Sequence, residues 1–234
     1  MPLRLSVIGT GYLGATHAAC MAELGHEVVG LDVDPAKVDL LRSGRVPFYE
    51  PGLDEVLARN IEAGRLRFTT SFAEVGEFAD VHFVCVGTPQ AAGAQRADTS
   101  QVFGSVESLL PHLRPGALVV GKSTVPVGTA HQLAERIAES GPEGAELAWN
   151  PEFLREGFAV EDTLHPDRLV IGVRSQRAED LLREVYAPVT AQGTPLLVMD
   201  FATAELVKVA ANSFLATKIS FINAMAELCE ATGA

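Results

Sequence analysis

The sequence predicts an α/β fold: a doubly wound, mostly parallel sheet followed by a long C-terminal helix. Three observations carry this. Short apolar runs alternate with helical stretches through residues 1–199 of the 234. Several runs are solidly apolar, as strands covered on both faces are. From about residue 202 the chain becomes one unbroken helical pattern.

The elements follow in order. Residues 3–8 read as a strand, 11–24 as a helix and 27–31 as a second strand. Residues 35–43 form a helix, with Asp34 as N-cap and Pro35 at the first helical position. Residues 53–62 form another, ended by Gly64. Residues 66–68 and 81–86 are strands, 99–110 a helix, 118–120 a strand, 128–138 a helix and 146–149 a strand. The last strands, 169–173 and 196–198, are separated by a helical 177–186. Residues 90–97 are the most linker-like stretch. Residues 202–232 contain no proline or glycine, and Leu206, Val209, Ala210, Leu215, Ile219 and Ile222 recur at helical spacing. A helix of roughly 30 residues is about 45 Å long. Its apolar side must pack against something beyond one small domain. The expected division is 1–199 and 200–234.

Composition bounds the function. Apolar residues make up 47% and charged residues 21%, the balance of a globular chain. Thirty acidic against 18 basic residues leave a net charge of −12. A nucleic-acid binder needs a basic face, so nucleic acid is not an expected partner. No apolar run has the length of a membrane span, and the N-terminus leads straight into a strand without a signal peptide. Cys20, Cys85 and Cys229 are few and far apart, without a C-x-x-C. That pattern points to a reducing, cytoplasmic compartment with neither disulfides nor a metal site.

Gly9-Thr10-Gly11-Tyr12-Leu13-Gly14 fits G-x-G-x-x-G between a strand and a helix, with Asp32 at the end of the next strand. Gly9 permits the tight turn, Gly11 lets a pyrophosphate approach the backbone, and Gly14 lets helix and strand pack closely. Asp32 can accept hydrogen bonds from ribose hydroxyls and repels a 2′-phosphate, which favours NAD over NADP. The domain is therefore expected to be Rossmann-like. Lys37 either reaches the adenosine ribose or pyrophosphate, or is a solvated lysine.

Two further strand ends, Cys85-Val86-Gly87-Thr88-Pro89 and Lys122-Ser123-Thr124 running on to Thr129, either flank a nicotinamide in the crevice of such a sheet or are ordinary strand-to-helix turns. Asn150-Pro151-Glu152-Phe153-Leu154-Arg155-Glu156-Gly157 sets two carboxylates around an arginine. One can pair with Arg155 while the other does hydrogen-bond or base work; a solvated charged turn is the alternative. Glu205, Lys208 and Asn212 share one face of the long helix. They suit oxyanion stabilisation, or a surface stripe with a Glu–Lys pair.

These strings together resemble the UDP-glucose 6-dehydrogenase family of nucleotide-sugar dehydrogenases. The match runs through G-T-G-Y-L-G, P-F-Y-E-P-G-L at 47–53, C-V-G-T-P, K-S-T-V-P-V-G-T, N-P-E-F-L-R-E-G, H-P-D-R-L-V-I-G at 165–172 and the stretch 205–223. The resemblance implies oxidation of the 6-hydroxymethyl of UDP-glucose to a carboxylate by two NAD, through a cysteine thiohemiacetal and thioester. It implies cofactor contacts from Gly9, Thr10, Gly11, Tyr12, Leu13, Gly14, Asp32, Lys37, Val86, Gly87, Thr88, Pro89, Ser123, Thr124 and Glu156. Substrate contacts fall to Glu152, Phe153, Leu154, Arg155, Glu156, Lys208 and Asn212. Catalytic roles fall to Thr124 and Glu156 on a water, Glu152 as the other candidate base, and Lys208 and Asn212 on the oxyanion. A homodimer through the long helix is also implied.

The family's nucleophile lies in a G-G-x-C-x-x-K-D string beyond that helix, and residues 1–234 contain none. All three cysteines read as small buried residues. The chain is expected to be the cofactor half of the enzyme, inactive by itself for lack of that cysteine. Alternatives are a non-catalytic NAD-binding dimerisation module, a relative acting on GDP-mannose or UDP-N-acetylmannosamine, or a hydroxyacid-type dehydrogenase, against which N-P-E-F-L-R-E-G speaks.

Overall fold

Strands with no polar face are stable only between two layers, and the computed structural model, which describes residues 2–234, puts most of them there, while the edge strand at 196–199 leaves Leu197 and Val198 exposed. Eight strands form one sheet: β1 (Arg4–Ile8), β2 (Glu27–Leu31), β3 (Leu66–Thr69), β4 (Val81–Val84), β5 (Leu118–Gly121), β6 (Glu146–Trp149), β7 (Leu169–Gly172) and β8 (Leu196–Met199). Their order is β3-β2-β1-β4-β5-β6-β7-β8. Every pairing is parallel except β6 with β7, which meet antiparallel at Trp149 and Gly172. From β1 the chain winds outward to β3, then returns to β4 on the other side. That reversal opens a crevice above the C-terminal ends of β1 and β4.

One face of the sheet packs on α1 (Tyr12–Glu23), α2 (Pro35–Arg42), α3 (Leu53–Glu62) and α8 (Gln176–Val185) through residues such as Val7, Ala18, Leu57 and Leu182. The other packs on α4 (Phe72–Phe78), α5 (Ser100–Leu109) and α6 (Thr129–Ser140) through Ile8, Val106 and Leu133. Asp34 caps α2 as its sequence position implies, accepting from Ala36 N at 2.9 Å. Gly121 ends β5 because a Cβ there would run into the Trp149 ring.

Three helices lie where the sequence reading placed none: α4, α7 (Ala159–Leu164) and α9 (Ala187–Thr190). Helix α4 had a local signal, since Ser71 caps it through Glu74 N in an S-x-x-E pattern. Helix α7 has no side-chain cap of its own; the distant Glu50 accepts from its first amide, Ala159 N.

Helix α10 (Phe201–Thr232) starts on Asp200, which accepts from Thr203 N at 2.7 Å. Its first two turns bury Phe201, Ala204, Glu205 and Lys208. Beyond them Phe214, Leu215, Ile219, Phe221, Ile222 and Leu228 are exposed. Cys229 is exposed too, which corrects the expectation that all three cysteines are buried. The helix outruns the sheet, so none of the described residues covers its last turns. No helix among the described residues is long and apolar enough to cross a membrane.

Candidate active site

The turn after β1 is set by sterics. Gly9 has φ +85°, and a Cβ on it would sit 2.7 Å from Val86 Cγ1. A Cβ on Gly14 would strike the Gly9 carbonyl oxygen and lie 3.2 Å from Cys85 Cβ, so a larger residue would push α1 off the sheet. Gly11 is the N-cap of α1 and supplies no side-chain cap, and a Cβ there meets nothing within 4 Å. The first turn of α1 carries no acid. Its free N–H groups and positive dipole end therefore face the crevice, which suits an anion.

The crevice is a cavity of about 670 Å³ running from Gly9 and Gly11 past Asp32 and Lys37 to Val86 and Gly87. Asp32 sits at its edge, its side chain 7% exposed. Oδ2 accepts from Thr10 N (2.9 Å), Thr10 Oγ1 (3.0 Å) and Lys37 Nζ (2.8 Å), and Oδ1 from Asp34 N (3.1 Å). Burial alone would push this carboxyl up, but Lys37 and the backbone donors outweigh it and hold it below its ordinary value. Lys37 is thus paired with Asp32, and Oδ1 carries a single backbone donor.

The two strand-end loops are stitched together. Ser123 Oγ donates to Val86 O (2.6 Å) and Thr88 Oγ1 to Thr124 O (2.7 Å), while Pro89 O takes Asp98 N (2.7 Å). From α10, Glu205 caps α6: Oε2 accepts from Gly128 N (2.7 Å) and Oε1 from Ala130 N (2.6 Å). Burial raises the Glu205 carboxyl, and the amides partly offset it. The sequence reading had offered Glu205 as a helix-surface partner of Lys208. The fold instead turns it inward, onto amides about 75 residues away in sequence.

Lys208 pairs with Glu152, Nζ to Oε1 at 2.8 Å. Glu152 Oε2 also accepts from Leu154 N (2.6 Å), which bends the loop back on itself. The Phe153 ring lies 5.6 Å from Lys208 Nζ and 4.7 Å from the Arg168 guanidinium. Glu152, Phe153, Leu154 and Arg168 border a second cavity of about 340 Å³, whose lining also includes Leu13, His17, Lys122 and Asn150. Lys122 Nζ donates to Asn150 Oδ1 (2.9 Å), which also accepts from Tyr186 OH (2.6 Å). Burial pushes the Lys122 ammonium down to about 8, with Lys208 adding to the fall and Cys85 and Glu152 opposing it. Burial likewise keeps His17 neutral, and its Nε2 has no hydrogen-bond partner. The Cys85 thiol is pushed up to about 12, mainly by burial.

Arg155 corrects the sequence reading. It pairs with Asp162 (Nη2–Oδ1 2.6 Å, Nε–Oδ2 3.0 Å) and with neither Glu152 nor Glu156. Asp162 is nearer because α7 folds back under the loop. Glu156 and Asn212 are exposed, so Glu152 and Lys208 are the pair that the fold brings together. Sequence reasoning gave no role to Asn150, Tyr186 or Glu50. Glu50 and Asn150 lie in strings the sequence singles out, but the partners of all three lie tens of residues away. Among the described residues no His, Cys, Asp and Glu group could hold a metal ion.

Comparison with known proteins fits this geometry. Residues 3–190 match the UDP-glucose/GDP-mannose dehydrogenase family, NAD binding domain, and residues 202–234 match its central domain. A UDP-glucose 6-dehydrogenase of Rhizobium meliloti (strain 1021) is 43% identical over 99% of this chain and 54% of its own length. One of Pseudomonas aeruginosa is 46% identical over 99% and 52%. The solved UDP-glucose dehydrogenase of Pyrobaculum islandicum superposes with a TM-score of 0.89 at 45% identity, covering 96% of this chain and 52% of that one. A GDP-mannose dehydrogenase of Pseudomonas aeruginosa, solved as a ternary complex, gives 0.89 at 34%, covering 94% and 52%. The chain spans about half the length of the relatives it matches.

Proposed function

Because the chain belongs to the UDP-glucose/GDP-mannose dehydrogenase family, we propose that it is the NAD-binding part of a UDP-glucose 6-dehydrogenase. Residues 1–199 form the cofactor domain, and residues 200–234 begin the central domain and carry a homodimer contact. The observation that carries this reading is that one loop serves both cavities. Lys122 lines the cavity that Glu152 borders, and the next residue, Ser123, holds Val86 at the wall of the Gly9–Asp32 crevice.

The crevice suits a dinucleotide. Gly11 leaves the space a pyrophosphate needs, α1 offers it free amides, and Asp32 Oδ1 faces the ribose. Bound NAD supplies the hydride acceptor. Val86, Gly87, Thr88, Pro89, Ser123 and Thr124 shape the nicotinamide end. Lys208 stabilises negative charge on the sugar oxygen, while Phe153 and Leu154 hold the loop around it. Glu152, paired with Lys208, is the better-placed base; Glu156, Arg155 and Asn212 act from the rim. UDP-glucose is favoured over GDP-mannose because the similar UDP-glucose enzymes stand at 41–46% identity and the GDP-mannose enzyme at 34%. The free thiols fit a cytoplasmic setting.

Residues 1–234 by themselves bind NAD without turnover. Cys20 and Cys85 are buried thiols pushed up to about 12, chiefly by burial, and Cys229 lies on the exposed end of α10. None is a thiolate beside Lys208. Calorimetry with NAD, together with NADH absorbance after adding UDP-glucose, tests both halves. Binding without NADH is expected. Absence of binding overturns the cofactor assignment, and sustained NADH formation overturns the assignment of the cysteines.

A further inference from the structure

Glu50 lies in P-F-Y-E-P-G-L, a string for which the site above has no use. It is 5% exposed, and its partners are neutral donors. Oε2 accepts from Gly157 N at 2.9 Å and from the Tyr12 hydroxyl, and Oε1 accepts from Ala159 N at 2.7 Å. Tyr12 is the first residue of α1, immediately after Gly11. Its phenol is pushed up to about 12 by burial and by the hydrogen bond to Glu50, so it remains the donor. Gly157, with φ +85°, closes the loop that carries Glu152, and the Ala159 amide opens α7. The Phe48 ring backs Tyr12, with ring centroids 5.1 Å apart.

One carboxylate therefore touches the start of the phosphate-loop helix and the far end of the Glu152 loop. A glutamine could not replace it without loss. With donors on both oxygens, its NH₂ would oppose at least one N–H and leave both unsatisfied.

We propose that Glu50 is a positioning residue that couples the phosphate loop to the 150–157 loop, so that filling the dinucleotide crevice orders the loop carrying Glu152. This rests on the NAD reading of the crevice. An anion on the α1 amides holds Tyr12 in place. Tyr12 then holds Glu50, and Glu50 holds the Gly157 and Ala159 amides.

The test is residue-resolved amide hydrogen exchange on the chain with and without NAD. In the unaltered chain, NAD should slow exchange at Gly157 and Ala159 by about fivefold, the scale of one hydrogen bond. In Glu50→Gln, NAD should still bind and protect the first turn of α1, with no added protection at Gly157 and Ala159. Tyr12→Phe removes the hydroxyl, which also accepts from Gly157 N at 3.3 Å, and leaves both amides on Glu50, with Ala159 untouched by the change. It should keep Ala159 exchange near the unaltered rate without NAD and lose the NAD effect there, which a merely structural Glu50 would not produce. NAD binding that leaves Gly157 and Ala159 unchanged, or protects them equally in Tyr12→Phe, overturns the coupling alone. Failure of the unaltered chain to bind NAD overturns the NAD reading, and the coupling with it.

Discussion

Lys208 and Glu152 join the long helix to the loop after β6 in a single ion pair, Nζ 2.8 Å from Oε1. Their side chains are 9% and 19% exposed, so water screens the pair only weakly. Together with Glu205 on the amides of α6, this pair fastens the first turns of α10 to the loops that follow β5 and β6.

Removing both partners should cost less than the two single losses added together. Glu152→Gln leaves the shielded Lys208 charge without its counterion and should destabilise the chain by about 3 kcal/mol. Lys208→Met should cost a similar amount, and the double variant clearly less than the sum. Urea unfolding followed by the fluorescence of Trp149, the sole tryptophan, measures all three. Additive losses would show that the two side chains do not interact.

NAD should bind in preference to NADP. Asp32 is ionised at the crevice edge, where a 2′-phosphate would meet like charge and a crowded Oδ2. Asp32→Ala should weaken NAD binding by roughly 1–3 kcal/mol. The Asp32 carboxyl lies below its ordinary 3.8, so its contribution to folding is present above that value and fades as pH falls through the lower folded one. NAD affinity should therefore be flat between about pH 5 and 8 as far as Asp32 governs it. Calorimetry with both cofactors decides; equal NADP affinity would contradict the role of Asp32.

Lys122 should make its own mark on stability. Its ammonium falls from an ordinary 10.5 to about 8 in the folded chain. Below pH 8 both states hold the proton, and burial of the charge weighs fully against folding. Between about 8 and 10.5 only the unfolded state holds it, so this group's effect becomes more favourable as pH rises. At about 1.4 kcal/mol per pH unit, the window is worth about 3 kcal/mol. Lys122→Met should be stabilising near pH 7 and lose that advantage by about pH 10. Comparing the two chains across pH cancels the opposite trend from Cys20, Cys85 and Tyr12. A difference that does not vary with pH would mean Lys122 titrates normally.

The chain should self-associate through α10. Phe214, Leu215, Ile219, Phe221 and Ile222 stand exposed along the helix, an apolar stripe unusual on a monomer. Sedimentation should show concentration-dependent dimers at micromolar protein. Ile219→Glu with Ile222→Glu should return the chain to monomer with its unfolding midpoint nearly unchanged, since neither residue is packed in the domain. Monomer alone in the unaltered chain would count against the dimer.

Short-range chemistry is what the sequence by itself determined. Solid apolar runs specify strands covered on both faces, Asp34-Pro35 starts α2 where it stands, and the Gly9–Gly14 spacing marks the turn and the close helix. Each of these depends on neighbours within a few residues. The tertiary structure decided which charges meet. Glu205 and Lys208 lie one helical turn apart, and the local rule pairs them. The fold sends one to Gly128 and Ala130 and the other to Glu152, because α10 packs across the ends of β6 and β7 and buries both. Arg155 sits between two glutamates, yet goes to Asp162 once α7 folds back beneath it. Glu50 meets Gly157 across 107 residues of chain. A buried carboxylate takes whichever donors the packing leaves beside it, and for these residues the packing depends on elements that sequence neighbours do not reveal.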